Sequence, residues 1–220
     1  MGTTITNPVI SGPYDEPTQH FRFDDDGITD QVDEGRRRSE YFVPVPQTKK
    51  RGAQLQFDNE WTLNRIQPND FVNDVRERVQ LWRLRGYAHV TPTTRRLLEY
   101  WNDPGRENRV LFAQREAAET AIYLSEAAQK DGHGWMITRL TETNDDFNDG
   151  LPRVALKMAT GSGKTVVMAM LIAWQALNKL ADPFDKRFSD RFLVATPGLT
   201  IRDRLRALLP NDPQTLYRAM

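Results

Sequence analysis

Apolar residues between positions 69 and 129 recur at intervals of three and four, the spacing of amphipathic helices. The first helix is predicted to begin at Asn69 and to end at Gly86. Its apolar stripe consists of Phe71, Val75, Val79 and Trp82. Thr91 followed by Pro92 predicts a second helix start, because threonine caps a helix and proline fits its first position. A third helix is predicted from residue 109 to about residue 129.

After residue 150 the pattern changes to short apolar runs on either side of a long apolar helix. Residues 153–158 and 192–195 predict two buried strands, and residues 164–180 predict the helix between them. Two strands joined by a crossover helix indicate a parallel βαβ unit, in which ligands bind beyond the carboxyl ends of the strands. The expected fold class is therefore α/β.

Residues 1–58 have little helical periodicity and several prolines, so they are expected to form an irregular, extended N-terminal arm. A helical segment at 59–108 and an α/β segment at 109–220 would follow. Residues 24–26 are three aspartates, a weak candidate for a metal site because neighbouring side chains on an extended chain alternate sides. The three arginines at 36–38 are either a solvated run or a contact for nucleic-acid phosphates.

The amino-acid composition restricts the class of protein but says little about the reaction that it catalyses. Hydrophobic residues make up 39% of the 220, which is enough for a packed core. The 30 basic residues balance 30 acidic ones, so any nucleic-acid contact has to come from a local patch. Cysteine is absent, which excludes disulfides and thiolate metal sites. Without an apolar run of about 18 residues, no membrane span is expected, and the interpretation is a cytoplasmic protein.

The strongest chemical signal is the small-residue loop between the first predicted strand and the long helix. It reads Thr160, Gly161, Ser162, Gly163, Lys164 and Thr165. Glycines let the backbone turn so that its N–H groups surround an anion, and the positive end of the helix dipole adds to the attraction. The lysine would reach the β- and γ-phosphates of a nucleotide such as ATP, and the threonine hydroxyl would bind Mg²⁺.

Three segments together resemble superfamily two helicases of the DEAD/DEAH type. Met158 replaces the first glycine of a generic phosphate loop, and this departure is similar to motif I of that superfamily. A strand followed by Thr196, Pro197 and Gly198 and then a basic helix looks like motif Ia. Gln114, on the helix before the loop, is similar to the glutamine that precedes motif I. The segments resemble the N-terminal part of the Res subunit of type III restriction enzymes.

This resemblance implies a partial RecA-like domain that hydrolyses ATP and moves along DNA. By position, residues 160–165 would hold ATP and Mg²⁺, with Lys164 and Thr165 carrying the catalytic roles, and Gln114 would contact the adenine. Residues 196–198 would face the DNA backbone, with Arg202 as a further candidate. A restriction-modification system would also supply an endonuclease function and a methyltransferase subunit as a candidate partner.

The sequence departs from the complete helicase pattern after the loop. No acidic box follows Lys164, and no glutamate follows it at all, so the residue that orients the attacking water is missing. We therefore expect an N-terminal portion of a larger enzyme, inactive by itself. An unrelated phosphate-loop kinase or ATPase and a non-hydrolysing nucleotide- or DNA-binding module remain as alternatives.

Overall fold

A computed structural model describes residues 7–24, 27–43, 66–148 and 150–218. The chain divides into two compact units, residues 1–74 and residues 75–220. The first predicted helix runs across this division as α1, Asp70–Leu84. The predicted division at residues 58 and 108 stays a prediction.

Within its described residues, the first unit contains two antiparallel strand pairs. β1 (Gln19–Asp24) pairs with β2 (Gly27–Glu34), and β3 (Glu40–Phe42) pairs with β4 (Ile66–Pro68). Part of the expected irregular, extended arm therefore forms paired strands. The missed signal is the alternation in residues 20–23, His-Phe-Arg-Phe, whose period of two is that of a strand.

The aspartate run at 24–26 and the arginine run at 36–38 lie in or beside the strands of the first unit and stay predictions. Across the strand pair, Arg22 Nη2 lies 2.6 Å from Asp33 Oδ1. Of the aspartates at 24–26, two fall outside the described residues. No cluster of potential metal ligands occurs within the described ranges.

The second unit is helical. After the last part of α1 come α2 (Pro92–Asn102), α3 (Phe112–Ile122), α4 (Trp135–Phe147), α5 (Lys164–Ala181) and α6 (Leu199–Arg204). α3 continues as a π-helical turn over Tyr123–Ala127, and short 3₁₀ turns cover Leu205–Leu208 and Leu216–Arg218. The four predicted helices that correspond to α1, α2, α3 and α5 are thus confirmed. None of the helices in the described part of the chain is long and apolar enough to cross a membrane.

The core of this unit lies between α5 and the preceding helices. Val79, Leu98, Ile122, Met170 and Trp174 are all at most 5% exposed. α2 begins as the sequence predicts: Thr91 Oγ1 accepts a hydrogen bond from the Thr94 backbone N–H, and Pro92 follows the cap. These contacts place one face of α5 against α2 and α3.

The C-terminal part of α4 is formed by the polar residues 141–147. Only Met136 of this helix is buried, so an apolar stripe was not available to predict it. Asn144 at its C-terminal end accepts a hydrogen bond from the Arg153 N–H and donates one to the Arg153 carbonyl oxygen. The polar residues therefore fasten the end of α4 to the segment that precedes the glycine loop.

The two predicted buried strands are not formed, and the predicted parallel βαβ core is absent from the described residues. Residues 151–158 and 191–196 have no strand pairing. Val154 is 59% exposed and Leu193 is 95% exposed. A strand is stabilised by its ladder partners, and a parallel strand requires cover on both faces. Within the described residues, neither segment has a strand to pair with. The apolar pattern is therefore present, but the strands that it predicts are not formed.

Candidate phosphate-binding site

The glycine loop lies directly before α5, as the sequence predicts. Gly161 and Gly163 both have a left-handed backbone, with φ of 81° at each. Glycine adopts this conformation without the steric cost that a Cβ brings. Gly163 is the N-cap of α5, an 18-residue helix, so the loop ends at a helix N-terminus. Backbone N–H groups in the first turn of a helix have no partner within the helix and attract anions.

Lys164 lies across this loop. Its Nζ donates a hydrogen bond of 2.7 Å to the carbonyl oxygen of Ala159. Ser162 Oγ donates to the same oxygen, also at 2.7 Å. The lysine side chain is exposed, and Thr165 in the first turn of α5 is half-buried. A positive charge is therefore held at the loop, within reach of an anion that the loop would bind.

Gln114 connects the third helix with the loop. Its Nε2 donates a hydrogen bond of 3.0 Å to the carbonyl oxygen of Ser162, and its Oε1 accepts one of 3.0 Å from the Leu111 N–H. Leu111 is the N-cap of α3 and has no side-chain acceptor of its own. Gln114 is only 7% exposed. The side chain thus serves the start of α3 and the loop together.

α3 is anchored further along by a buried carboxylate. Glu119 is fully buried, and its Oε2 lies 2.6 Å from Arg83 Nη2. Tyr87 donates its hydroxyl hydrogen to Glu119 Oε1 at 2.7 Å. Burial, and after it the negative charge of Glu119, raises the pKa of Tyr87 well above its ordinary value. A buried charge is costly unless it is paired and hydrogen-bonded, and here both conditions are met.

A second buried polar cluster holds α5. Trp174 Nε1 donates to Glu126 Oε1 at 2.7 Å, and Thr94 Oγ1 donates to the same oxygen at 2.7 Å. Asn178 Nδ2 donates to Thr94 Oγ1 at 2.9 Å, and Asn178 Oδ1 accepts from the Thr91 hydroxyl. Three parts of the unit meet here: α2, the π-helical turn and α5. The loop therefore precedes a helix whose register is fixed by hydrogen bonds as well as by apolar packing.

Sequence reasoning missed both buried clusters. Glu119 and Glu126 are both buried, and a buried carboxylate is normally satisfied by hydrogen bonds. Their partners, however, lie 36 and 48 residues away in the sequence. Only the tertiary structure shows which donors satisfy them.

The other sequence-predicted site lies in a separate exposed turn. Thr196 Oγ1 donates to the Gly198 carbonyl oxygen at 3.0 Å, immediately before α6. Pro197 is exposed, and Arg202 lies 3.5 Å from the Asp203 carboxylate with 67% of its side chain exposed. The side chains of Thr196 and Arg202 thus interact with residues one or two positions away in the sequence. The structure thus brings Gln114 to the loop, whereas residues 196–202 form a turn of their own.

The candidate site is a glycine loop in front of a long helix, and a comparison with protein-family models shows which class of protein this segment resembles. Residues 109–211 match the family model described as type III restriction enzyme, res subunit. The match runs from just before α3 to beyond α6, slightly less than half of the chain, and over these residues the resemblance drawn from the sequence is confirmed. Comparisons with curated proteins and with solved structures gave no match.

Proposed function

We propose that residues 109–211 form the ATP-binding part of an ATP-dependent DNA helicase or translocase related to the res subunit of type III restriction enzymes. The observation that carries the proposal is the loop itself. Two left-handed glycines, a lysine whose ammonium lies on the loop and a helix N-terminus come together within residues 159–165. The family match over the same residues gives this loop its helicase context.

The residues fit a magnesium-bound triphosphate by their chemistry. Lys164 would exchange the Ala159 carbonyl for a phosphate oxygen, which carries more negative charge than a carbonyl. Thr165 would supply a hydroxyl ligand to Mg²⁺, an ion that prefers oxygen donors. The backbone of residues 160–163 would surround the β-phosphate. The bound nucleotide would supply the energy of phosphoryl transfer.

DNA contact is proposed for the turn of Thr196, Pro197 and Gly198, with Arg202 on the helix that follows. The turn is exposed, and α6 also carries Arg204, so a phosphate backbone would meet positive charge there. We propose further that residues 153–158 and 192–195 are strands of a larger parallel sheet, since both are apolar and exposed. A methyltransferase partner and a place in the cytoplasm follow from the proposed restriction role alone.

A non-hydrolysing nucleotide-binding module is the second candidate. It is favoured by one observation, namely that no glutamate follows Lys164 in the sequence. In the helicase pattern that the sequence resembles, the glutamate of the acidic box orients the attacking water. We therefore assign nucleotide binding to these residues and hydrolysis to a protein that also carries the acidic box. An ATPase assay of this chain with duplex DNA separates the candidates: turnover would select the enzyme, and binding without turnover would select the module.

Calorimetric titration with Mg-ATP tests the proposed site. Lys164→Ala removes the ammonium that lies on the loop, and we expect binding to be lost while circular dichroism stays unchanged. Lys186→Ala is the control, because it removes the same charge from an exposed position in the loop after α5. Undiminished binding by Lys164→Ala would remove the phosphate-loop assignment.

A further inference from the structure

The loop between α1 and α2 has a backbone that is unusual for its side chains. Gly86, Tyr87 and His89 have φ of 75°, 57° and 67°, all in the left-handed range. For tyrosine and histidine this conformation carries a steric cost, so it persists only where the surrounding structure enforces it. Residues held in this way cluster at binding and catalytic sites. The loop of residues 85–90 therefore has the backbone of a functional segment.

Side chains from three parts of the unit hold the carbonyl groups of this loop. Arg95 on α2 donates to the carbonyl oxygens of residues 86 and 87 at 3.1 and 3.3 Å. Trp82 Nε1 on α1 donates to the carbonyl oxygen of residue 88 at 2.8 Å. Lys130, which follows the π-helical turn, donates to that of residue 89 at 3.3 Å. Four successive carbonyl groups are thus turned toward protein donors.

The N–H groups of the same peptides have no such partners. In a trans peptide the C=O and N–H point in opposite directions, so each N–H points away from the side chain that holds its carbonyl. The N–H groups of Ala88, His89 and Val90 have no acceptor within the described part of the chain. The run ends at Thr91, whose N–H donates to the buried Glu126 at 2.9 Å. Successive free N–H groups in a turn form a concavity that binds anions.

Positive side chains lie around this loop. Arg85 is exposed and forms no salt bridge within the described residues. Arg95 and Lys130 are also exposed, and their acceptors in the loop are neutral carbonyl groups. These contacts therefore hold two positive charges at the loop without neutralising them.

Asp131 contributes a negative charge that acts against an anion at this loop. Its Oδ1 lies 3.4 Å from His89 Nε2. Burial, and after it the charge of Asp131, raises the pKa of Tyr123 to about 12, whereas Arg78 and Arg85 act against this rise. The two arginines are thus near the same carboxylate. The cationic side chains beside the loop outnumber its carboxylates, so the net charge here is positive.

We propose that residues 85–90 form a second anion site, which binds a phosphate group through the three free N–H groups and the cationic side chains beside them. A phosphate group has several acceptor oxygens, so it can accept from all three donors at once. This site goes beyond the proposed nucleotide function, since it has no residue in common with the loop of residues 159–165. Inorganic phosphate and the backbone phosphates of duplex DNA both offer this chemistry.

Backbone amide spectra of the full chain, recorded during a titration with sodium phosphate at constant ionic strength, report on this loop separately from the glycine loop. We expect saturable shifts of the Ala88, His89 and Val90 signals. The same shifts should occur in Lys164→Ala, because that variant changes only the other site. Equal shifts with sodium chloride would overturn the proposal.

Two variants change the charge at the loop in opposite directions. Arg85→Gln should weaken phosphate binding about two- to fivefold, and Asp131→Asn should strengthen it by a similar factor. Arg218→Gln is the control, because it removes the same charge from the exposed turn Leu216–Arg218 and should leave the affinity unchanged. Native affinity in Arg85→Gln, or weaker binding in Asp131→Asn, would contradict the assignment.

A second titration, with a short DNA duplex, distinguishes the two sources of phosphate. Shifts of the same three amides at a lower phosphate concentration, which weaken steeply with added salt, would assign the site to the DNA backbone. Shifts with inorganic phosphate alone would assign it to a free phosphate ligand. Signals that neither ligand moves would overturn the proposal. Failure of Mg-ATP to bind at residues 160–165 would remove the proposed function and leave this second site standing.

Discussion

Gly161 and Gly163 share a left-handed backbone, but only Gly163 lies against a side chain from another helix. The sequence predicts the glycine turn because glycine and lysine occur at the spacing that a phosphate loop needs. It cannot predict the hydrogen bond between Gln114 and Ser162, because 48 residues separate them. The local sequence pattern therefore predicts the loop, whereas the hydrogen bond that supports the loop depends on the packing of α3 beside it.

Replacing Gly163 by alanine should disturb the loop more than the same change at Gly161. Both changes cost roughly 1–2 kcal/mol for the left-handed backbone, but only Gly163→Ala also pushes against Gln114. Chemical denaturation should show the larger loss of unfolding free energy for Gly163→Ala. Equal losses for the two variants would mean that the Gln114 side chain moves away from the new Cβ without a measurable cost.

Tyr87 should make the protein sensitive to alkali. Its raised pKa means that the folded state keeps the phenol proton to a higher pH than the unfolded state does. The resulting stability is fully present below the ordinary tyrosine pKa of 10.0 and is lost as pH rises above it. Tyr87→Phe should therefore lower the free energy of unfolding at pH 7 by about 1–3 kcal/mol and flatten its decline above pH 10.

Tyr100→Phe is the control for that change, because Tyr100 is 47% exposed and keeps its ring beneath Arg106. Its stability at pH 7 should match the native value. A decline above pH 10 that is as steep in Tyr87→Phe as in the native chain would show that another group causes it.

The elements that the sequence predicts well are the helices with apolar stripes. α1, α2, α3 and α5 all carry such stripes, and all four are formed. α4 has a single buried residue, and its polar C-terminal end looks like a loop. The strands predicted at residues 153–158 and 192–195 fail for a different reason, since a strand depends on partners that the local sequence does not contain.

α5 should depend on its buried polar cluster as strongly as on its apolar face. Trp174→Phe keeps most of the ring packing but removes the N–H that donates to Glu126. A buried carboxylate that loses one donor should cost about 1–3 kcal/mol in the free energy of unfolding. Trp135→Phe, at a position 43% exposed, is the matched control and should stay within about 0.5 kcal/mol of the native value. Similar effects of the two changes would exclude a role for the cluster.

At the scale of the whole molecule, the helices of residues 75–220 pack their apolar faces against one another, whereas two apolar segments stay exposed. Val154, Leu193 and Val194 belong to these segments. The sequence predicts the family resemblance and the glycine loop, but the sheet that a RecA-like domain contains is not formed within the described residues. Formation of that sheet is a property of long-range pairing, which neither segment achieves within the described residues.

Hydrogen exchange should reveal this difference directly. Amides of residues 153–158 and 192–195 have no ladder and should exchange within seconds, whereas those in the middle of α5 should be protected for far longer. Mass spectrometry of the peptides produced by proteolysis after quenching distinguishes the fast-exchanging amides from the protected ones. Strong protection of both apolar segments would show that they are paired in solution.

Backbone amide spectra recorded during a Mg-ATP titration show whether residues 160–165 bind a triphosphate. We expect saturable shifts of the Gly161, Gly163 and Thr165 amide signals, absent from Lys164→Ala under the same conditions. Signals of those amides that stay unmoved at saturating Mg-ATP, or that move equally in Lys164→Ala, would contradict this expectation.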